Sequence, residues 1–150
     1  MKTFDSLAAL AACAGQEITV TEGFTVTQQH INQFADATGD HQWIHVDAER
    51  AKAGPFGTTI AHGYLTLSLL AGFFDRSIRV QGVRMGINYG LNKVRFMAPV
   101  PVGSVLRARV ALLGTEPIEG GMQIAWQVTV EREGSDKPVC VAEPLSRYYV

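Results

Sequence analysis

One short segment of the chain joins a carboxylate to an imidazole, the two groups that most often move protons in proteins. Asp40 is followed closely by His45. Within one loop this pair can hold a single water molecule, because the carboxylate accepts a hydrogen from it while the imidazole fixes or deprotonates it. Addition of water to an activated double bond needs this arrangement, since one carbon receives the water oxygen and its neighbour a proton. On spacing alone, a loop-capping aspartate and a structural histidine remain the simpler interpretation.

A second feature could stabilise negative charge on a thioester oxygen. His62 and Gly63 open a predicted apolar helix, whose first amides have no partner within the helix. A glycine there lets a ligand approach the backbone closely, so the Gly63 amide is a candidate oxyanion donor. Loss of one such donor typically costs about 2.7–4 kcal/mol of activation free energy. By itself, easier helix packing would explain this glycine as well, and His62, like His41, is predicted to be a loop or helix-cap residue.

Periodicity indicates the elements that would position these groups. In the first half of the chain the pattern predicts an amphipathic helix over 4–14, a strand over 19–25 and helices over 28–38 and 47–53. Thr27 and Asp47 are the expected N-caps, and Gly39 ends the longer helix. Asp40 to His45 should then lie in a loop.

The second half of the chain predicts a sheet and a helix for it to enclose. Residues 62–74 are apolar on nearly every face, which predicts a helix buried all round. Four strand-like stretches follow, with period-two alternation clearest over 106–112 and 122–131, and with flanking strands over 83–96 and 139–150. A phase slip between Asn92 and Arg95 predicts a bulge. We therefore expect an α+β hot dog fold, one domain over 1–150, with a curled antiparallel sheet wrapped around a central apolar helix.

Composition limits the possible partners and compartments. The 150 residues include 13 Lys and Arg against 14 Asp and Glu, a net charge of −1 that gives no field attracting nucleic acid or an anionic membrane. No apolar run approaches the roughly 20 residues that a membrane span requires. Cys13 and Cys140 predict reduced thiols and a cytoplasmic location, and a secretory signal over 7–14 is disfavoured. The sequence contains no cluster typical of a metal site.

Four paired motifs carry a resemblance to a known family: Gly39–Asp40, Ile44–His45, Phe56–Gly57 and His62–Gly63. In this order they resemble the MaoC-like dehydratases, also called (R)-specific enoyl-CoA hydratases, over nearly the whole chain. Residues 88–96 and 99–103 resemble the small NodN-like subgroup with a single hot dog domain. The chain has Gln42–Trp43 where the family usually has Asn-Pro, and Ala71 where several relatives have a serine.

The resemblance implies a role for each matching position. Asp40 and His45 would hold the attacking water, and the Gly63 amide would bind the thioester oxygen. It also implies a homodimer with sheets joined edge to edge and acyl-CoA at the interface. Further candidates for substrate contacts are Gln42, Tyr64 and Asn92. Lys93, Arg95 and Arg147 could meet CoA phosphates, although solvated strand faces more commonly explain such charges.

The leading functional hypothesis is reversible hydration of trans-2-enoyl-CoA to (R)-3-hydroxyacyl-CoA, without a metal or redox cofactor. The alternatives are dehydration of an (R)-3-hydroxyacyl-carrier protein, an acyl-CoA thioesterase, and a non-catalytic hot dog protein that binds an acyl ligand. Chain-length preference would depend on residues beside the central helix: Tyr64, Leu67, Leu70, Phe73 and Phe74. Replacing Asp40 or His45 by alanine should abolish hydratase activity without harming folding, because neither residue belongs to the apolar pattern.

Overall fold

A computed structural model describes residues 1–150. Its elements, in chain order, are β1 (Lys2–Phe4), α1 (Leu7–Ala11), β2 (Glu17–Val20), β3 (Phe24–Thr25), α2 (Gln28–Thr38), α3 (Trp43–Val46), α4 (Ala48–Lys52), α5 (Gly63–Ser77), β4 (Ile78–Val80), β5 (Met85–Phe96), β6 (Val105–Ile118), β7 (Gly121–Arg132) and β8 (Cys140–Tyr149). None of the helices is both long enough and apolar enough to cross a membrane.

A six-stranded antiparallel sheet forms most of the structure. Its order is β2-β6-β7-β8-β5, with β3 also pairing with β6, while β1 and β4 form a separate parallel pair. Alternate side chains of the two central strands are fully buried: Leu106, Ala108, Val110, Leu112, Ile124, Trp126, Val128 and Val130. The period-two pattern thus marks the inner face of the sheet. The curled antiparallel sheet and its central helix confirm the predicted hot dog fold.

The central helix α5 packs one side against the sheet. Phe74 lies 5.1 Å from the ring of Trp126, and Phe73 meets the edge of Phe24 at 6.4 Å, measured between ring centroids. The expectation of burial on all sides was wrong for a single chain, because Tyr64 is 70% exposed and Ala71 is also exposed. One side of α5, which carries Tyr64, Ser68 and Ala71, therefore has no cover from its own chain.

Several predicted boundaries were wrong because strand pairing with distant segments outweighs the local hydrophobic pattern. The N-terminal helix is shorter than 4–14, since Lys2–Phe4 pairs with Ile78–Val80 and Ser6 caps the helix by accepting from the Ala9 amide. The strand predicted over 19–25 is interrupted after Val20, and β2 and β3 pair separately with β6.

The four later strands are antiparallel as predicted, but they do not lie side by side in chain order. β5 pairs only with β8, at one edge of the sheet. Its register shifts between Leu91 and Val94, which agrees with the predicted bulge, and shifts again between Asn88 and Gly90. The edge strand therefore bends twice beside the central helix.

The helices that surround the candidate loop have the predicted caps. Thr27 and His30 form a reciprocal capping box at the start of α2, and Gly39 ends α2 with a left-handed φ of 79°. Asp47 caps α4 by accepting from the Arg50 amide. His45 is not in a loop as predicted, because Trp43–Val46 forms a single helical turn. The turn leaves only 39–42 as the connection to α2.

Candidate active site

Asp40 lies just beyond the C-terminus of α2, where its backbone leaves the helix. Its side chain is exposed, and Oδ1 accepts a hydrogen bond from the Gln42 amide at 3.3 Å. The Asp40 amide in turn donates to Thr38 Oγ1 at 3.4 Å. These local bonds support the loop-capping interpretation, yet they leave carboxylate lone pairs free for another partner.

His45 is held in one orientation by a buried hydrogen bond. Its side chain is 6% exposed, and Nδ1 lies 2.7 Å from the carbonyl oxygen of Ile60. A carbonyl can only accept, so Nδ1 carries the hydrogen and Nε2 has a free lone pair. Burial lowers the pKa of His45 below its usual value, the carbonyl of Ile60 opposes this shift, and the nearby His62 adds to it. The ring is therefore set up to accept a proton at Nε2.

This burial changes one expectation from the sequence. Replacement of His45 by alanine was predicted to leave folding intact, since the residue lies outside the apolar pattern. In the structure, that change would leave the buried Ile60 carbonyl without its donor, which typically costs about 1–3 kcal/mol of stability. The structure therefore leads us to expect a loss of stability for His45→Ala, whereas Asp40 is exposed and its replacement should still leave folding intact.

A third residue, His62, completes a compact cluster with Asp40 and His45. One nitrogen or oxygen from each of the three side chains lies within 4.8 Å of the others. The His62 ring stacks on the His45 ring at 3.8 Å with an interplanar angle of 23°, and its Nε2 donates to the Asp40 carbonyl oxygen at 3.0 Å. His62 Nδ1 is buried and has no hydrogen-bond partner. The fold therefore brings the two candidate catalytic side chains, Asp40 and His45, together with a second imidazole, that of His62.

These three side chains are also of the types that bind metals, which sequence spacing did not indicate. Near-parallel stacking directs the in-plane lone pairs of His45 and His62 side by side, whereas a tetrahedral metal needs lone pairs that converge. One nitrogen of each ring is already bonded to a backbone carbonyl. Metal-binding histidines commonly make such a bond as well, so only the stacked geometry of the two rings disfavours a tetrahedral zinc ion here.

Gly63 lies at the start of α5, adjacent in the chain to this cluster. As the first residue of the helix, it has an N–H without an intrahelical acceptor. It lines a mostly apolar cavity of about 380 Å³, together with residues that include Ala61, Phe96 and Val139. A Cβ added to Gly63 would lie 3.0 Å from the Phe96 ring. The glycine therefore leaves room where a larger residue would press on the cavity wall.

The other predicted substrate contacts are less closely tied to the cluster. Tyr64 is 70% exposed, with its ring 6.0 Å from that of Phe96, so it lies at the same end of α5. The side chains of Gln42 and Asn92 are exposed and make no hydrogen bond to the cluster. Only the backbone amide of Gln42 contacts Asp40.

The side chains of the three basic residues considered for CoA phosphates differ in the contacts that they make within the protein. Lys93 and Arg95 are exposed on β5, and Arg95 donates to the carbonyl of its neighbour Val94. Arg147 donates to Gln123 at 2.9 Å and lies over the Tyr89 ring at 3.4 Å. Contacts within the sheet therefore explain the position of the Arg147 side chain without a CoA phosphate.

Two polar residues near His45 were missed from the sequence. Gln28 Nε2 donates to the His45 carbonyl oxygen at 2.8 Å, and Gln28 Oε1 accepts from the buried hydroxyl of Thr59 at 2.6 Å. This bridge joins α2, α3 and the segment before α5. A glutamine in the first turn of a helix gives no sequence signal of such a role, because its partners are 17 and 31 residues away.

Fold and site together define a class of protein. The sequence profile of the "MaoC like domain" matches residues 10–134, and the chain belongs to the MaoC-like family of hydratases and dehydratases. It is 58% identical over 149 residues to 3-hydroxyacyl-thioester dehydratase Z of Mycobacterium tuberculosis, covering 99% of both chains. It is also 46% identical over 140 residues to Nodulation protein N of Rhizobium leguminosarum, covering 91% of this chain and 87% of the other. The resemblance to both groups is thereby confirmed.

Solved structures show the same architecture. A protein from Archaeoglobus described as a monoamine oxidase regulatory protein superposes with a TM-score of 0.77 at 25% identity, covering 99% of this chain and 96% of the other. The (R)-hydratase from A. caviae superposes with a TM-score of 0.70 at 20% identity, covering 87% and 95%. The second likeness concerns the fold alone. Family membership supports an enzyme that adds water to, or removes it from, a thioester substrate.

Proposed function

We propose that the protein reversibly hydrates trans-2-enoyl-CoA to (R)-3-hydroxyacyl-CoA, with Asp40 and His45 holding the water and the Gly63 amide holding the thioester oxygen. The observation that carries this proposal is the orientation of His45. Its Nδ1–H is fixed on the Ile60 carbonyl, and its ring lies in a compact cluster with Asp40. The free Nε2 lone pair is the group that a water nucleophile requires.

Each group has a defined part in the reaction. The Asp40 carboxylate accepts a hydrogen bond from one O–H of the water, and this hydrogen stays on the oxygen as the new hydroxyl group. His45 Nε2 takes the other hydrogen as a proton while the water oxygen bonds to C3. The electron pair of the double bond moves towards the thioester oxygen, where the Gly63 N–H stabilises the negative charge. The proton returns from His45 to C2, which restores the neutral imidazole and gives the 3-hydroxyacyl product. No metal or redox step is needed, and dehydration follows the same path in reverse.

Two mostly apolar cavities that border α5 are suited to a thioester with an apolar chain, and only the first includes a proposed site residue, Gly63. The apolar cavity beside Gly63 has a volume of about 380 Å³. A second cavity of about 250 Å³ lies between α5 and the edge of the sheet, and is lined by residues that include Leu67, Ala71, Leu91 and Leu145. Apolar walls along the central helix favour an acyl chain over a polar substrate.

The exposed edge strand supports a homodimer. All of the 12 residues of β5 except Val94 are exposed, and β5 pairs with β8 alone. Its exposed apolar side chains are Met85, Ile87, Tyr89, Leu91 and Phe96. A long unpaired apolar edge is a ready template for another strand, and a second copy can pair its own β5 about a twofold axis. That copy would also cover the exposed side of α5 that carries Tyr64 and Ala71.

The dimer has a direct test. Replacing both Ile87 and Leu91 by lysine should convert the protein to monomers, because two charges would enter the apolar edge. Replacing Leu113, which is 44% exposed on β6, by lysine is the matched control. Molar mass from light scattering measures the outcome. A wild-type monomer, or a double variant that stays dimeric, would contradict the proposal.

The activity test follows the enoyl thioester and the thiol together. Crotonyl-CoA should lose its enoyl absorbance without release of free thiol, and Asp40→Asn should reduce the rate at least a hundredfold because the water loses its carboxylate partner. Release of thiol would instead indicate a thioesterase, and no change with any enoyl chain would indicate a binding protein. Comparing kcat/KM for one acyl chain on CoA and on acyl-carrier protein tests the carrier. The two free cysteines fit a cytoplasmic location. Hydration of an enoyl thioester fits a place in fatty acid metabolism.

A further inference from the structure

We infer that His62 is a positioning residue, which holds the Asp40 backbone, the plane of the His45 ring and the Gly63 amide in a single arrangement. This inference rests on the proposed function, since it concerns how the proposed catalytic groups meet at one water. His62 itself contacts neither the substrate nor the water in this account. It acts through the three groups that do.

The first contact fixes the loop that carries Asp40. His62 Nε2 lies 3.0 Å from the Asp40 carbonyl oxygen. Because that oxygen can only accept, Nε2 carries the hydrogen and donates it. The Asp40 carboxylate is exposed, and the other bonds of its loop run only to nearby residues of α2 and of the loop itself: those of the Asp40 and Gln42 amides at 3.3–3.4 Å, and that of His41 to Asp36 at 2.9 Å. The bond from His62 links this loop to a residue that is 3% exposed.

The second contact fixes the ring of His45. The two imidazoles stack at 3.8 Å with an angle of 23°, and the Phe34 ring lies 4.9 Å from His62. The hydrogen bond to Ile60 sets the direction of His45 Nδ1, but it permits the ring to turn about that bond. Stacking restricts this rotation, and so sets where the Nε2 lone pair points.

The third link is covalent. His62 is the N-cap of α5, and its side chain makes no capping bond to the helix. The next residue is Gly63, the proposed oxyanion donor. One buried residue therefore couples the general base and its carboxylate partner to the amide that receives the thioester oxygen. The reaction rate is sensitive to the relative positions of these groups, because a shift of about 1 Å can lower it a hundredfold.

An unpaired atom separates this role from that of a satisfied core histidine. His62 Nδ1 is buried and bonds to no protein atom, so this nitrogen gains no stabilising hydrogen bond from the protein. An apolar ring of similar size would remove that nitrogen and keep the stack, at the cost of the donor to the Asp40 carbonyl.

The test uses two substitutions that separate the ring from its donor. His62→Phe keeps a stacked ring and removes the donor, whereas His62→Gln keeps an amide N–H that reaches the Nε2 position and removes the ring. We expect His62→Phe to lower kcat for crotonyl-CoA 10- to 100-fold, with KM within threefold of wild type and an unchanged or higher Tm. His62→Gln should lower kcat less than His62→Phe does, about 3- to 10-fold, because it keeps the donor to the Asp40 carbonyl and loses only the stacked ring. His41→Gln, at an exposed histidine paired with Asp36, is the control and should match wild type.

The inference is overturned if His62→Phe keeps kcat within threefold of wild type, if its loss of kcat is matched by a fall in Tm, or if glutamine restores nothing. Should His62→Phe fail to fold, His62→Leu takes its place. It removes both the donor and the stacked ring, so kcat should fall at least tenfold and further than in His62→Gln, and a kcat within threefold of wild type would overturn the inference. Crystal structures of the variants provide a second readout. In His62→Phe the Asp40 carboxylate should move out of the 4.8 Å cluster around His45, and an unmoved carboxylate would also overturn the inference. This readout stands even if the wild-type protein proves inactive, which would refute the proposed function alone.

Discussion

Replacing His45 by asparagine separates the chemistry of this residue from its role in folding. The asparagine amide nitrogen reaches the position of the imidazole Nδ1, so it can still donate to the buried carbonyl of Ile60, which now lies 2.7 Å from Nδ1. The variant has no group at the position of Nε2. His45→Asn should therefore fold normally and lack the proposed base, while His45→Ala should lack both functions.

The magnitudes follow from the two interactions. Loss of a positioned general base typically lowers the rate 10²- to 10⁴-fold, which is about 2.7–5.4 kcal/mol of activation free energy at about 1.36 kcal/mol per tenfold. Leaving the Ile60 carbonyl buried and unpaired costs about 1–3 kcal/mol of stability. In a chain of this length, each kcal/mol lowers Tm by about 2–4 °C. His45→Ala should thus melt about 2–12 °C below wild type, and His45→Asn close to it.

Two measurements decide the outcome. Steady-state kcat/KM with crotonyl-CoA should fall at least a hundredfold in both variants, and thermal unfolding followed by circular dichroism should separate them. If His45→Asn kept more than a tenth of wild-type kcat/KM, His45 could not be the base. If it melted as low as His45→Ala, the assigned hydrogen bond to Ile60 would be wrong.

Further predictions concern pH and the register of the sheet. Burial lowers the pKa of His45, and only the neutral ring can accept a proton, so kcat/KM should be constant above pH 6.5 and fall as pH drops through the lowered pKa. Asp36→Asn removes the negative charge of the hydrogen-bond acceptor that raises the pKa of His41, and it should leave the pH at which kcat/KM falls unchanged. A shift of that pH would mean that His41, and not His45, is the titrating group. Gly121→Ala should destabilise the protein by about 1–3 kcal/mol in denaturant unfolding, because its Cβ would overlap a backbone carbonyl of β8. Gly114→Ala, where a Cβ meets open space, should be neutral or slightly stabilising, and equal losses in the two variants would contradict the β7–β8 register.

The fold could be predicted where the alternation of apolar residues in the sequence matches the burial of side chains in the structure. The alternation over 106–112 and 122–131 marked strands whose inner residues are fully buried, and Thr27 with Gly39 marked both ends of α2. Prediction failed where pairing between distant segments decides the structure. The strand over Lys2–Phe4 depends on Ile78–Val80, and the place of β5 beside β8 depends on a crossover that local pattern does not encode.

The candidate site could be predicted only in part. Asp40 and His45 were named from their types and spacing, and the structure brings them into one cluster. The burial of His45 and its bond to Ile60 were not foreseen, because a single buried histidine leaves no periodic trace. The contribution of Gln28 was missed for the same reason, since its bonds to the His45 carbonyl and to Thr59 join segments far apart in the chain.

The convergence of Asp40, His45 and Gly63 on one substrate is tested most directly by a crystal structure of the Asp40→Asn protein with an enoyl-CoA bound. We expect the thioester oxygen about 2.7–3.1 Å from the Gly63 amide nitrogen, with a water between C3 and His45 Nε2. An enoyl group bound with C3 facing away from His45, or with its thioester oxygen out of reach of the Gly63 amide, would contradict the account.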